Sequence, residues 1–358
     1  MAYKNLLSSG KIGNLPLRNR IALSAMGTNY SDRDGFCTDR LAEYYESRAK
    51  GGTGLIIMET SAANWPSGAS TPNTIGFSDD RFIPGLQNVV TRVHKHGAAI
   101  AAQINHAGKS STTDTAEGRP VLVPSIPKKL KGNLMSALTR EEIGTFVSAA
   151  GPDGKGSRYQ VMTQEDINDT IHHYVEASLR AKKAGFDAIE LHAGHGYMLS
   201  SFLSPFANDR EDNYGGSAEN RARLLCEIVT AIKMKVGDQM PIIVRLDAHE
   251  YRIDGGTRIE DAIQHAKLVV AAGADAIDVS AYGNGLCGIA FTEAPLVHEP
   301  AGLLGFAKAI KKTVNVPVIA VGRISPALAD AEIGRGNIDF IAMGRKLLAD
   351  PELPNKLA

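Results

Sequence analysis

The stretch "AGFDAIELHA" at residues 184–193 returns almost unchanged as "AGADAIDVSA" at 272–281, and "GRGNIDFIAMG" at 334–344 is a looser third copy. A unit of helix, glycine, aspartate and strand repeated along one chain predicts a (β/α)8 TIM barrel, an α/β fold. Working outward from the copies, eight β-rich runs appear: "RIALSAM" (20–26), "GLIIMET" (54–60), "AIAAQIN" (99–105), "AIELHAG" (188–194), "PIIVRLD" (241–247), "AIDVSAY" (276–282), "PVIAVGR" (317–323) and "DFIAMGR" (339–345). They are close to continuously apolar, as expected of parallel strands with helices outside and packed side chains inside. An open doubly wound sheet is the alternative.

The segments between the runs carry helix signals. Thr163 with Asp166, and Thr257 with Glu260, fit capping boxes, and Ser325 before Pro326 fits an N-cap with proline at the first helical position. Over residues 79–97, Phe82, Leu86, Val89, Val90 and Val93 share one face, and Gly97 ends the helix. Two long excursions, 61–78 and 106–162, follow strand C-termini, where barrel enzymes build their sites. We expect one barrel domain over 1–358, with a lid-like insertion at 106–162 whose "PDGKG" (152–156) is a turn-rich tip.

Acidic and basic residues balance, 39 against 39 in 358, so no global field draws the chain to nucleic acid or an anionic membrane surface. A small, roughly neutral molecule is the expected partner, and a homo-oligomer is compatible with the sequence. The first twenty residues lack the apolar core of a signal peptide, and no run approaches the roughly 18 apolar residues of a membrane span, so a cytoplasmic location is expected. Cys37, Cys226 and Cys287 form no CxxC, which points to neither a disulfide framework nor a cysteine-rich metal site.

In such a barrel the strand ends converge on one mouth. The first three strands bring Ala25, Met26, Gly27 and Thr28, then Glu59 and Thr60, then Gln103 and Asn105; the fourth brings His192, His195 and Tyr197. Arg245 and Tyr282 follow, and the last two strands both end in Gly-Arg, Gly322-Arg323 and Gly344-Arg345. Close backbone approach beside a guanidinium on adjacent strands suits a phosphate; the alternative is that both arginines pair with carboxylates on neighbouring helices. Gln103 and Arg245 together suit a ligand with a donor-acceptor edge and developing negative charge, such as the pyrimidine end of a reduced flavin. Histidines three apart suit a metal, but no carboxylate or cysteine at suitable spacing completes a ligand set. Two imidazoles donating to one oxygen, with a phenol as proton donor, need no metal.

With these residues in view, "HAGHGYMLSSFLSPFANDREDNYGGSAENRARL" resembles the signature of the old yellow enzyme family of FMN-dependent ene-reductases. "NRIALSAMGT", "AQINHAGK", "VGRI" and "AMGRKLLADP" are similar to the family's motifs at other strands, and the resemblance spans nearly the whole chain. It implies a (β/α)8 barrel holding FMN non-covalently. It also implies NADH or NADPH as reductant and hydride delivery to the β-carbon of an activated alkene, an enone or enoyl thioester. By the resemblance, His192 and His195 hold the substrate carbonyl oxygen and Tyr197 protonates the α-carbon. Gln103 contacts the pyrimidine, Arg245 the N1 and O2 region, and Ala25, Met26 and Thr60 the ring through backbone groups. Gly322, Arg323, Gly344 and Arg345 hold the phosphate.

The chain departs from the family at Gly27, where many members place Cys, Thr or His near flavin O4, leaving Thr28 as the substitute. Its insertion at 126–162 is longer than in compact members. By motif it is nearest to the 2,4-dienoyl-CoA and bile-acid enone reductase branch, whose members continue into an iron-sulfur segment and a second flavin domain; no iron-sulfur cluster is expected within these residues. Competing functions are oxidative demethylation of a methylated amine and an FMN-binding barrel without turnover.

Overall fold

The computed structural model describes residues 3–128, 151–283 and 299–358. Eight parallel strands form its centre: β1 (Ile21–Leu23), β2 (Leu55–Ala62), β3 (Ala99–Asn105), β4 (Ala188–Ala193), β5 (Ile242–Tyr251), β6 (Ala276–Gly283), β7 (Val318–Ala320) and β8 (Phe340–Met343). Each pairs with the next, and β8 returns to β1 through Ile341↔Ile21 and Met343↔Leu23. The sheet is therefore a closed barrel, and the open-sheet alternative is excluded.

Successive strand side chains point to opposite faces. Ile56, Ile100, Ile189, Val244 and Ile277 pack outward under the helices, while Leu55, Ile57, Ala101, Ala188, Ile243, Ala276, Ile319 and Phe340 fill the interior. An antiparallel hairpin, Gly10–Ile12 with Leu15–Leu17, adds Ile12 and Leu17 to that inner cluster. Because those two meet residues at the strand starts, the hairpin closes the N-terminal end and leaves the C-terminal end as the mouth.

The repeated aspartate has a common task. In all three copies it precedes a strand and accepts the N–H of a residue at the start of the neighbouring strand: Asp187 from Ile100 at 2.8 Å, Asp275 from Ile242 at 2.9 Å and Asp339 from Val318 at 2.8 Å. A cationic or ring nitrogen from a preceding helix holds the same carboxylate, His94, Lys233 and Lys311 respectively. Each copy thus fixes the register of two strands and ties in one helix, which is why the unit repeats.

Several boundaries differ from expectation. The Thr163–Asp166 capping box forms as read, and so does the Ser325 cap. The next box sits one residue later than expected: the helix is Ile259–Ala271, and Asp261 accepts the Arg258 N–H. Thr257 is held elsewhere, its N–H donated to Glu250 at 2.6 Å. Strands β7 and β8 stop before their Gly-Arg pairs, so those residues lie in the turns above the strands. The two excursions carry structure of their own. Ile75–Gly76 pairs with β2, and Pro120–Val123 pairs in parallel with Arg158–Val161. Residues 129–150 of the lid-like insertion, Cys287 and the side chain of Tyr282 lie outside the described residues. No helix among the described residues is long and apolar enough to cross a membrane.

His265, on Ile259–Ala271, is buried, and burial together with the nearby Arg221 guanidinium lowers it to about 4. It is neutral in the fold, whereas an unfolded chain protonates it below about 6.5, so stability is lost as pH falls from about 6.5 towards about 4. The loss assigned to this group approaches about 3 kcal/mol. Urea midpoints at both ends of that window should fall more steeply for the parent than for His265→Gln; equal slopes would remove His265 as the cause.

Candidate active site

The mouth is built from alternating inward positions of β3 to β6. Gln103, Glu190, His192, Arg245, Asp278 and Ser280 all point inward and all are buried. Register aligns them: Gln103 lies opposite Glu190, and Arg245 lies between His192 on one side and Asp278 on the other. Gln103 Nε2 donates to Glu190 Oε1 at 2.7 Å. Arg245 donates through Nη1 to Ser24 Oγ at 3.2 Å and faces Asp278 Oδ2 across 3.6 Å. Burial, then the Asp278 charge, push the Glu190 carboxyl up to about 8.

At the end of β4 the structure brings His192 of this layer together with His195 and Tyr197. The His192 ring meets the His195 ring edge-on at 4.7 Å and the Tyr197 ring at 4.9 Å. His192 Nδ1 accepts the Gly194 N–H, which assigns the His192 proton to Nε2. That Nε2 lies 3.1 Å from His195 Nδ1, and His195 Nε2 lies 2.9 Å from Ser280 Oγ. With His192 donating from Nε2, His195 Nδ1 accepts and His195 Nε2 carries the proton that faces Ser280 Oγ. His195 sits at φ 61°, a left-handed conformation uncommon for a side-chain residue, held by its N–H donated to Asp247 Oδ2 at 2.6 Å. Tyr197 stands at the start of the short helix Met198–Leu203.

Around the rim, Ala25 and Met26 leave β1 beside the top of β8, where a Cβ on Gly344 would meet Met26 Sδ at 2.7 Å. Gly344 therefore leaves room for the Met26 side chain. A Cβ on Gly27 would have nothing within 4 Å, so the departure from the family at this position is not imposed by crowding. Thr28 donates its N–H to Glu59 Oε1, and its hydroxyl accepts the Tyr30 N–H. Burial raises the Glu59 carboxyl, which also accepts a hydrogen bond from the Tyr45 hydroxyl at 3.1 Å. The Thr60 hydroxyl is buried without a hydrogen-bond partner. On the far side, Gly322 at φ +111° and Arg323 at φ 60° turn the chain sharply above β7, and Arg345 opens the helix Arg345–Ala349 above β8. The residues expected to bind cofactor, Gly27 among them, thus surround the same end of the barrel as the histidines.

Sequence reading missed Glu190, Asp278, Asp247, Ser280 and Lys109. Two of these had a signal: in the near-copies "AIELHA" and "AIDVSA", Glu190 and Asp278 occupy the same place, as do His192 and Ser280. Lys109 lies in the turn after β3, lowered by burial and partly restored by Glu250 and Asp247.

The family model described as NADH:flavin oxidoreductase / NADH oxidase matches residues 6–358. The chain belongs to that family. Its motif-level resemblance to old yellow enzymes therefore holds for the chain as a whole. It is similar to an NADH oxidase of Thermoanaerobacter brockii, 39% identical over 99% of this chain and 50% of the relative. It is also similar to an NADPH dehydrogenase of Halalkalibacterium halodurans, 38% identical over 99% of this chain and 94% of the relative. Among solved structures, 2-naphthoyl-CoA reductase in complex with 2-naphthoyl-CoA superposes with TM-score 0.85 at 29% identity, over 99% of this chain and 52% of that one. The chain spans about half the length of the first of these relatives.

Proposed function

We propose that this member of the NADH:flavin oxidoreductase family holds FMN and uses NAD(P)H to reduce the C=C bond of α,β-unsaturated carbonyl compounds. The observation that carries this reading is the cluster of His192, His195 and Tyr197 at the end of β4, with His192 in register beside Arg245. The residues fit the cofactor: a buried amide and guanidinium for the pyrimidine edge, an unsatisfied Thr60 hydroxyl near the end of β2, and Gly322, Arg323, Gly344 and Arg345 for the phosphate. When bound, the flavin would supply to the alkene β-carbon the hydride that it receives from NAD(P)H.

The protein's own part is to hold an oxygen and move a proton. His192 and His195 each offer an Nε2–H, and a carbonyl oxygen that replaces their present acceptors receives both. Those bonds strengthen as negative charge gathers on the oxygen. Tyr197 then gives its phenolic proton to the α-carbon. An amine substrate has no oxygen for the histidines to hold, which favours the carbonyl reading over demethylation. The likeness to 2-naphthoyl-CoA reductase supports an enoyl thioester as one substrate class.

The test is NAD(P)H oxidation by the FMN-loaded protein with enones and enoyl thioesters, alongside reduction of an artificial electron acceptor with methylated amines in place of NAD(P)H. Acceleration of NAD(P)H oxidation by either carbonyl class supports the reading, and acceptor reduction by amines with no response to enones or enoyl thioesters overturns it. Arg345→Glu places an anion against the phosphate, and the purified variant should be colourless where the parent is yellow with stoichiometric FMN. A yellow Arg345→Glu protein would move the phosphate site elsewhere.

A further inference from the structure

Glu190 and Asp278 meet in the innermost polar layer of the barrel, and neither reaches solvent. Each stands behind one of the two side chains assigned to the pyrimidine edge. Glu190 accepts from Gln103 Nε2, so the Gln103 amide turns its oxygen, an acceptor, away from Glu190. Asp278 faces Arg245 Nε, and the two carboxyls also face each other.

Among the described residues, strand β5 contributes the Arg245 cation and, two residues further on, the Asp247 carboxylate that faces His195; β3 contributes the neutral Gln103, the residue after β1 the Ser24 hydroxyl on Arg245, and β4 itself His192 two residues further on. From β2, β7 and β8 come Ile57, Ile319, Phe340 and Ala342, none of them titratable. Glu59 of β2 is committed to Tyr45 and Thr28. Two buried carboxyls thus face each other beside the Arg245 cation. Ionising both sets like charges against each other in a buried layer, and one proton held between them removes that repulsion. This agrees with the raised Glu190 carboxyl.

We propose that Glu190 and Asp278 hold one proton between them and bind it more tightly when the ring edge held by Gln103 and Arg245 gains negative charge. The inference rests on the FMN reading of the site. Hydride transfer from the nicotinamide carries two electrons and one proton. Where the pair is ionised beforehand, Glu190 takes a second proton from solvent and returns it when the alkene removes the hydride. No bond to either carboxyl forms or breaks except that O–H bond. Glu190 and Asp278 are positioning residues, acting through Gln103 and Arg245.

The experiment is the two-electron midpoint potential of the FMN-loaded protein as a function of pH, on either side of about 8. The slope should correspond to one proton per two electrons below that pH and steepen towards two above it. In Glu190→Gln the break should vanish; in Asp278→Asn it should shift to lower pH, because the like charge is gone. Infrared spectra of the oxidised parent should show a protonated carboxyl band at neutral pH that fades above about 8 and is missing in Glu190→Gln. If the parent keeps a one-proton slope throughout and lacks the band, the proton-sharing pair is overturned while the FMN reading stands. A protein that binds no FMN overturns both. The parent's own profile and spectrum decide the matter even if a variant does not fold.

Discussion

Tyr197→Phe is expected to slow protonation of the α-carbon by on the order of 10² to 10⁴, the usual contribution of a positioned general acid. The substitution removes only the phenolic oxygen, so the ring keeps its edge-on contact with His192. Reduction of FMN by NAD(P)H needs no proton from Tyr197 and should proceed at the parent rate. Rapid mixing separates the two half-reactions, and the loss should appear only when an enone reoxidises the flavin. His192→Ala or His195→Ala should behave differently, weakening the binding of carbonyl or phenolic ligands as well as slowing hydride transfer, since both donors face the oxygen on which charge develops. Reoxidation of the Tyr197→Phe protein at the parent rate would sink the assignment of this residue as the acid.

The fold was legible because its signal is repetitive. Three copies of one unit announce parallel strands joined by helices, and the structure gives the reason in Asp187, Asp275 and Asp339, each bonded to the start of an adjacent strand. The mouth was legible for a related reason, since closing eight strands brings their C-terminal residues together whatever the outer helices do. What stayed hidden was polar and inward. Runs such as "AIELHA" mix apolar and polar residues without saying what the polar ones meet; alternation sends Ile189 and Leu191 outward and Glu190 and His192 inward. A charged residue in a strand buried on both faces is costly unless paired, so Glu190 and Asp278 required partners that single-strand reading could not supply. Asp247 and Ser280 were hidden because their roles depend on the left-handed turn at His195, a conformation set by tertiary contacts. The misplaced capping box has the same origin: Thr257 carries the right signature, but Glu250 claims its N–H.

Arg245→Met should be among the most destabilising substitutions in the barrel, at about 3–5 kcal/mol, because it removes the cation and leaves its buried carboxylate neighbours behind. Volume is largely kept, so the cost reports charge rather than a cavity. Its pH dependence distinguishes the two. Without Arg245, Glu190 loses the charge that lowers it, so its folded-state affinity for protons rises further above the unfolded value. A group with a raised carboxyl pKa contributes stability below the unfolded value and loses it as pH rises, so the deficit should be smallest near about pH 4.5 and grow towards alkaline pH. Adding Asp278→Asn removes one of the stranded charges. Urea denaturation of the double variant should therefore show a loss well below the sum of the two single losses, a coupling expected of residues in one charge network. Additive losses, or an Arg245→Met deficit that does not change with pH, would show that Arg245 holds the barrel by packing and its link to Ser24 rather than by neutralising the carboxyl pair.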